Sequence, residues 1–587
     1  MLGFAWAADR RLAMWTFGLQ AAGAITRSLP ALWIGLFVDG AVRHRHTTTL
    51  LAAFAVAASI SAVAALSYAG FRVRTALGDR TQHLLERRLL ELVGRTPTLA
   101  IQETPAHLRE LELLQEESWQ FSNAIPSVID ALSTVLQIVV AAVLLASISP
   151  LLLLLPVFGL PTLLLSPRTT GLYNRGNELA AEPDRRADML YHLAANRDAA
   201  KELRLFRLRT ELLARFADEH RTIRQIHVRL NARAQAFRLI TRSIFLVGYL
   251  GAIVLVAWRA AGSGGASGDI SVGDVVRTAV LAGQVVTLVA GSAELSQWLL
   301  RTLTAASRFL YLEDVSRPPG AGTAVVPSRL SSGIRLEGVC YTYPARETPT
   351  LHDVNVTLPA GATIAVVGDN GAGKTTLVKL LAGLCEPSAG RILIDGIDLR
   401  DLDVEAWRRR ISAGFQDHAR FEFTVLHAVG IGHLPAIDDP DAVRAALDRA
   451  GDPGLLDTLP AGLDTQLGPR WLDGVDLSGG QWQKLAIGRA MMRTDPLLLL
   501  LDEPTAAIDA ESEHELFARW TQAARDLRQR SGAITVLVSH RFSTVRMADL
   551  ILVLREREVA EMGSHNELIA AGGLYAELFE LQARAYR

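Results

Sequence analysis

The run Thr363-Ile-Ala-Val-Val-Gly-Asp-Asn-Gly-Ala-Gly-Lys-Thr-Thr376 decides how the C-terminal half folds. Residues 363–367 form a short apolar stretch, long enough for one buried strand and too short for a helix of ordinary length. After Thr376 comes Leu377-Val-Lys-Leu-Leu381, the first turns of a helix. Gly368, Gly373, Lys374 and Thr375 between them fit the phosphate-binding-loop pattern in the context it requires, strand before and helix after. The residue types follow from the chemistry. Glycines let backbone N–H groups converge on phosphate oxygens, and the helix N-terminus adds a favourable dipole. Lys374 brings a point charge to the β- and γ-phosphates, and the Thr375 hydroxyl is a Mg²⁺ ligand. The candidate phosphate-contacting residues are Gly368, Asp369, Asn370, Gly371, Ala372, Gly373, Lys374, Thr375 and Thr376.

A second apolar run, Leu497–Leu501, ends in Asp502-Glu503. Two acids after a strand, alone, are more often the N-cap of a helix. Beside a phosphate loop, Asp502 is placed to hold Mg²⁺ and Glu503 to act as general base towards water.

Upstream the character changes. Half of the 587 residues are hydrophobic, 21% are charged and the formal net charge is −1, with mean hydropathy of +0.22. That balance excludes disorder and gives no basic field for nucleic acid. Cys340 and Cys385 are the only cysteines, too few for a disulfide framework or a cysteine-rich metal site. Lysine is rare, at Lys201, Lys374, Lys379 and Lys484. Stretches near 12–38, 50–70, 124–148, 150–166, 239–261 and 274–298 are long enough, or nearly so, to cross a bilayer. The fourth is short and interrupted by Pro156 and Pro161, and with the third it reads as a hairpin turning at Pro150. The first reads as a retained helix, too long for a signal peptide and containing Arg27.

Loop charge sets the orientation. Residues 71–122 hold seven Lys and Arg and 167–238 hold fifteen, against two in 40–48 and none in 262–273. Both termini and both long loops are therefore expected in the cytoplasm, with helices continuing beyond the bilayer. Arg317–Gly333, rich in Pro, Gly and Ser, reads as a linker. The expected division is a membrane domain over 1–315, a linker over 316–333 and a nucleotide-binding domain over 334–587. Arg27, Asp130 and Glu294 fall within or at the edges of the first, third and sixth spans. An ion pair or a snorkelling end is the reading favoured for them over cargo contact.

Further motifs make the chain resemble the ATP-binding-cassette (ABC) exporters. Leu477-Ser-Gly-Gly-Gln481 matches their signature, Gln416 their Q-loop, Ala506-Ala-Ile-Asp509 their D-loop and His540 their switch histidine. Tyr343 stands where an aromatic stacks on adenine. The resemblance implies an α-helical membrane domain of six transmembrane helices extended into the cytoplasm, plus an α/β P-loop ATPase domain. It implies that Thr375, Gln416 and Asp502 surround Mg²⁺, that Glu503, His540 and Lys374 are catalytic, and that Ser478, Gly479, Gly480 and Gln481 meet the ATP of a second chain. Partners then follow: a second copy, favoured, or a separately encoded half-transporter, the lipid bilayer and a transported substrate, with no nucleic acid. Coupling helices are expected near Thr104–Leu111 and Asn196–Phe206, and the setting is a bacterial cytoplasmic membrane. Ala506 stands where serine is common, and Gly468-Pro-Arg-Trp471 replaces the usual Gly-Glu-Arg-Gly.

For cargo, Lys201–Phe206 and Phe415–Thr424 resemble exporters of modified peptides and other natural products. The alternatives are a multidrug or lipid exporter, or an inward-working transporter of the siderophore-uptake type. Residues 1–11 hold no cysteine, so leader-peptide cleavage by this chain is not expected.

Overall fold

Pro30 breaks the first span. Lacking an N–H and crowding the carbonyl one turn back, proline kinks or breaks a helix interior and is accommodated without that cost in the first turn. Helix α1 (Arg10–Thr26) accordingly stops, and α2 (Leu29–Val42) restarts with Pro30 in its first turn. The computed structural model describes residues 6, 9–96, 98–116, 118–197, 199–262, 270–316, 322–451, 454–504, 520, 522, 524–539 and 541–585. They divide into two units, one of residues 1–90 and 112–311, the other of 91–111 and 312–587.

In chain order there follow α3 (His46–Arg95), α4 (Ala100–Glu103), α5 (Pro105–Glu116), α6 (Ser118–Ile148), α7 (Leu160–Ala195), α8 (Ala200–Leu205), α9 (Arg209–Gly262) and α10 (Val272–Val315). Among the described residues, six helical segments are long and apolar enough to cross a membrane. They coincide with the six stretches expected from sequence. Helix α3 has 50 residues and α9 has 54, about 75–80 Å at 1.5 Å per residue. Both greatly exceed a hydrocarbon core of about 30 Å. The fourth span differs from expectation in form. Pro150–Gly159 is a 3-10 helix containing Pro156, and α7 then carries the same span on to Ala195. Leu145, Leu152, Leu155, Phe245, Val256 and Leu281 form the packed centre of this unit. Large apolar side chains such as Leu51, Phe54 and Trp258 remain exposed on it, as suits a surface solvated by lipid.

The second unit is built on two sheets. Strands β1 (Gly333–Tyr341), β2 (Leu351–Pro359), β4 (Ala389–Ile394) and β5 (Ile397–Asp398) form an antiparallel sheet in the order β2-β1-β4-β5. Strands β3 (Thr363–Gly368), β6 (Ile411–Gly414), β7 (Leu498–Asp502), β8 (Ile534–Val538), β9 (Leu550–Arg555) and β10 (Glu558–Gly563) form the other, in the order β10-β9-β3-β8-β7-β6. The inner strands of the second sheet run parallel. Buried on both faces, such strands read as continuous apolar runs. Every residue of β7, Leu-Leu-Leu-Leu-Asp, is buried, and each leucine contributes about 2 kcal/mol by leaving water. Helix α11 (Lys374–Leu381) follows β3. Helices α12 (Val425–Gly430), α13 (Pro440–Arg449) and α14 (Gly479–Ala490) gather around a separate core with Trp482 and Leu485.

The helix expected near Thr104–Leu111 is present as α5, which Pro105 starts, with Thr104 extended before it and α4 at Ala100–Glu103 just upstream. The segment read as a linker is more ordered than expected. Residues 322–332 are not a slack linker. Ala324 bridges Leu402, its N–H donates to the Asp401 carbonyl at 2.9 Å, and Leu330 is buried and donates to the Ser531 carbonyl. The two ends of this strap are thus stitched to the unit that follows.

Candidate nucleotide site

Parallel strands present their C-terminal ends on one edge, where ligands of open α/β sheets bind. Register fixes which residues meet there. Val538 of β8 pairs with Val366 of β3 on one side and with Asp502 of β7 on the other. On β6, Gly414 lies opposite Leu501, so Gln416, two residues on, emerges at the same edge. Strand order thus brings together the phosphate loop, Gln416 and the Asp502-Glu503 pair, which are dispersed between residues 368 and 503 of the sequence.

The loop itself explains its glycines. Gly373 caps α11 at φ 101°, a conformation that L side chains rarely adopt, and a Cβ there would stand 2.9 Å from the Thr350 carbonyl oxygen. At Gly368 a Cβ would collide with the Leu554 carbonyl. Lys374 is buried, and its Nζ donates to the carbonyls of Gly368 at 2.9 Å and Asp369 at 3.0 Å. It folds back over its own loop. Burial lowers its pKa against the opposing pull of Glu503, Asp502 and Asp369. Asp369, Asn370, Gly371 and Thr375 lie exposed on the loop, while Ala372 and Thr376 are buried.

Asp502 is 1% exposed, and neither carboxylate oxygen meets a hydrogen-bond partner by geometry. Burial raises its pKa, opposed by the nearby Thr375 hydroxyl and reinforced by Glu503. An orphaned buried carboxylate is costly unless a cation compensates it. With the Thr375 hydroxyl beside it, the pair fits a hard cation such as Mg²⁺. Glu503 adopts φ 48°, unusual for a residue with a Cβ. Two anchors hold it: its N–H donates to Val538 O at 3.1 Å, and its carbonyl accepts from Gln483 Nε2 at 3.2 Å. Gln483 lies on α14, so the base candidate is tied to that helix.

Ser478 caps α14 in a reciprocal box with Gln481, each side chain bonding the other's backbone N–H. Ser478 and Gly479 are exposed, with Gly480 half-buried beside them. Among the described residues, no hydrogen bond joins Ser478–Gln481 to the phosphate loop. Exposed Gln416 contributes only its carbonyl, to His418 at 3.3 Å. Tyr343 stands over α11, its hydroxyl 3.2 Å from Thr376 Oγ1 and its ring 5.4 Å from Lys379 Nζ. His540 and Ala506–Asp509 lie outside the described residues. In the segment that departs from the usual pattern, Trp471 is exposed and donates to the Glu422 carbonyl.

One cluster was not singled out from the sequence. Glu103 of α4 pairs with Lys379 at 2.7 Å and accepts from the Tyr341 hydroxyl at 3.2 Å, against Cys385. The rarity of lysine was the only signal pointing to Lys379.

Residues 351–506 match the family model described as ABC transporter. Those residues are an ABC transporter domain. In the ABC relative of Alcanivorax borkumensis named ATP-dependent lipid A-core flippase, 32% of 396 aligned residues are identical, covering 67% of this chain and 65% of that one. The flippase of the same name from Burkholderia orbicola is 39% identical over 290 residues, 49% of this chain and 46% of its own. The mitochondrial potassium channel ATP-binding subunit of Pongo abelii is 38% identical over 316 residues, 53% and 42% of the two chains. The chain thus spans between about two fifths and just under two thirds of these curated relatives. A bacterial Atm1-family ABC exporter with ATP bound shares the fold with a TM-score of 0.76 over 98% of both chains, at 23% identity. The ABC chain is thus a multi-pass membrane protein, its helical unit fused to an α/β cassette.

Proposed function

We propose that the chain hydrolyses Mg²⁺-ATP and uses the cycle to export a substrate by alternating access. The observation carrying this reading is the strand-edge convergence of Lys374, Thr375 and Glu503 with the buried, unpartnered Asp502. Thr375, Gln416 and Asp502 would hold Mg²⁺, which supplies charge neutralisation for the phosphates. Lys374 turns its ammonium from the loop carbonyls to the β- and γ-phosphates. Glu503, fixed at both ends of its peptide, takes the proton from the attacking water, with His540 towards the γ-phosphate. Tyr343 offers its ring to adenine, a contact of about 1 kcal/mol beyond burial.

A second chain completes the site. The exposed N-terminus of α14, with Ser478 at its cap, is suited to an anion that its own loop does not present. Leu205 and Phe206, at the end of α8, are exposed apolar side chains beside a hollow of about 750 Å³, a surface that a partner's cassette would cover. A homodimer is the favoured assembly, in a bacterial cytoplasmic membrane with the cassettes in the cytoplasm. On cargo, the names of the flippase relatives favour the lipid alternative over the modified peptide.

The test is ATP turnover by the full chain in lipid nanodiscs. Glu503→Gln should bind Mg²⁺-ATP and lose nearly all turnover, because an amide cannot act as base; turnover at the parental rate would refute the assignment.

A further inference from the structure

Around Asp130, one cation is left without a carboxylate among the described side chains. Asp130 of α6 binds Arg74 of α3 through Oδ2 at 3.0 Å and Gln20 of α1 through Oδ1 at 3.1 Å. Both oxygens are taken. Arg27, which follows α1, reaches only the neutral Gln137 carbonyl, Nη1 to Oε1 at 3.4 Å, and meets no carboxylate among the described residues. Among the described residues the carboxylate is thus engaged by Arg74 and not by Arg27.

This surplus charge lies deep in the apolar zone. Arg27 is in the middle of the candidate span Arg10–Val42, and Gln137 in the middle of Val128–Ile148. Nor does it face lipid. Counting back one, two and three turns from Arg27 gives Gly23, Gln20 and Thr16; Gly23 and Thr16 are buried and Gln20 binds α6, while Met14 and Ile25 lie exposed on the opposite face. The break at Pro30 contributes as well. It leaves the Arg27 carbonyl to accept from Gln284 Nε2 of α10 at 2.8 Å, which fixes the backbone while the side chain remains exposed. An intramembrane arginine held on the protein-facing seam, with donors to spare, matches an oxyanion.

We infer that Arg27 anchors the phosphate headgroup of a lipid cargo whose acyl tails remain in the apolar surroundings. This rests on the export reading above and narrows its cargo to an anionic amphiphile. Gln137 orients the guanidinium from below, and the Arg74–Asp130 pair keeps the next cation from competing for the headgroup.

The test uses the full chain in dodecyl maltoside, which carries no phosphate. Binding of dioleoyl phosphatidic acid and of dioleoylglycerol is measured by native mass spectrometry. The parental protein should prefer the phosphatidic acid by about tenfold or more, the range of a charge-assisted contact. Arg27→Gln should lose that preference, and Arg27→Lys should keep most of it. An unchanged preference in Arg27→Gln would overturn the inference, as would displacement of the lipid by millimolar inorganic phosphate with no contribution from the chains. If Arg27→Gln fails to fold, equal affinity of the parental protein for the two lipids still overturns it. ATP turnover, read separately, distinguishes the two failures: turnover without headgroup preference removes Arg27 and leaves the pump, and preference without turnover does the reverse.

Discussion

Asp502 illustrates a conflict between stability and function in a single side chain. Burial raises its folded pKa above the unfolded value. Without metal, stability is therefore fully present below the unfolded pKa and is lost as pH rises through the folded one. Asp502→Asn removes the buried charge. In the presence of a chelator it should raise the thermal midpoint by a few degrees, about 1 kcal/mol in a unit of this size. The same variant should lose Mg²⁺-dependent stabilisation by ATP. A midpoint that falls with chelator present would mean that Asp502 is already compensated within the protein. Lys374, Thr375, Asp502 and Glu503 were legible in sequence because each belongs to a short local pattern attached to a strand. The strain at Glu503 was not, since its φ is set by Val538 and Gln483, on other elements.

Helix α4 is four residues long, yet its Glu103 organises the cassette's nearest polar cluster. Burial, the largest single cause, works against the charge of Lys379, but its hydrogen bond to Glu103 together with the pull of Tyr343 and of the Glu103 charge outweighs burial and raises the lysine's pKa. The pair's contribution is thus complete below the unfolded value of about 10.4 and fades as pH climbs past the raised one. Burial, the largest cause, lifts the neighbouring Cys385 thiol to about 11, so it stays protonated over the same range. Glu103→Gln should lower stability near neutrality by about 1–3 kcal/mol, the range for a hydrogen bond to a charged group. Because Lys379 also reaches the Tyr343 hydroxyl at 3.5 Å, the variant should raise KM for ATP more than it lowers kcat. Thermal unfolding against pH checks the first point: the gap from the parental protein should close in strong alkali, and a constant gap would contradict the pair. Sequence could not foresee this contact, because its two ends are 276 residues apart and only packing joins them. Spans were readable from their apolar length, whereas the position of α4 and the 3-10 start of the fourth span depended on what Pro105 and Pro156 do to the local backbone.

At the scale of the molecule, the fold separates two halves of one reaction. The phosphate loop belongs to one core, with β3 and α11, and the signature at Ser478 belongs to another, with α14 and Trp482. On the proposed reading a complete site draws on two chains, and inactivating different halves in different copies should be complementary. Lys374→Ala leaves a signature without a working loop, while Ser478→Arg leaves a loop whose partner meets a bulky cation. Each variant alone should show almost no ATP turnover. A mixed dimer holds one intact composite site and one doubly defective site. The decisive measurement is therefore ATP turnover of the two variants purified separately and after co-expression with tandem affinity selection of mixed dimers. Recovery to a substantial fraction of parental turnover, only in the mixed dimer, is the expected result; full activity of Ser478→Arg alone, or no recovery in the mixed dimer, would contradict the account.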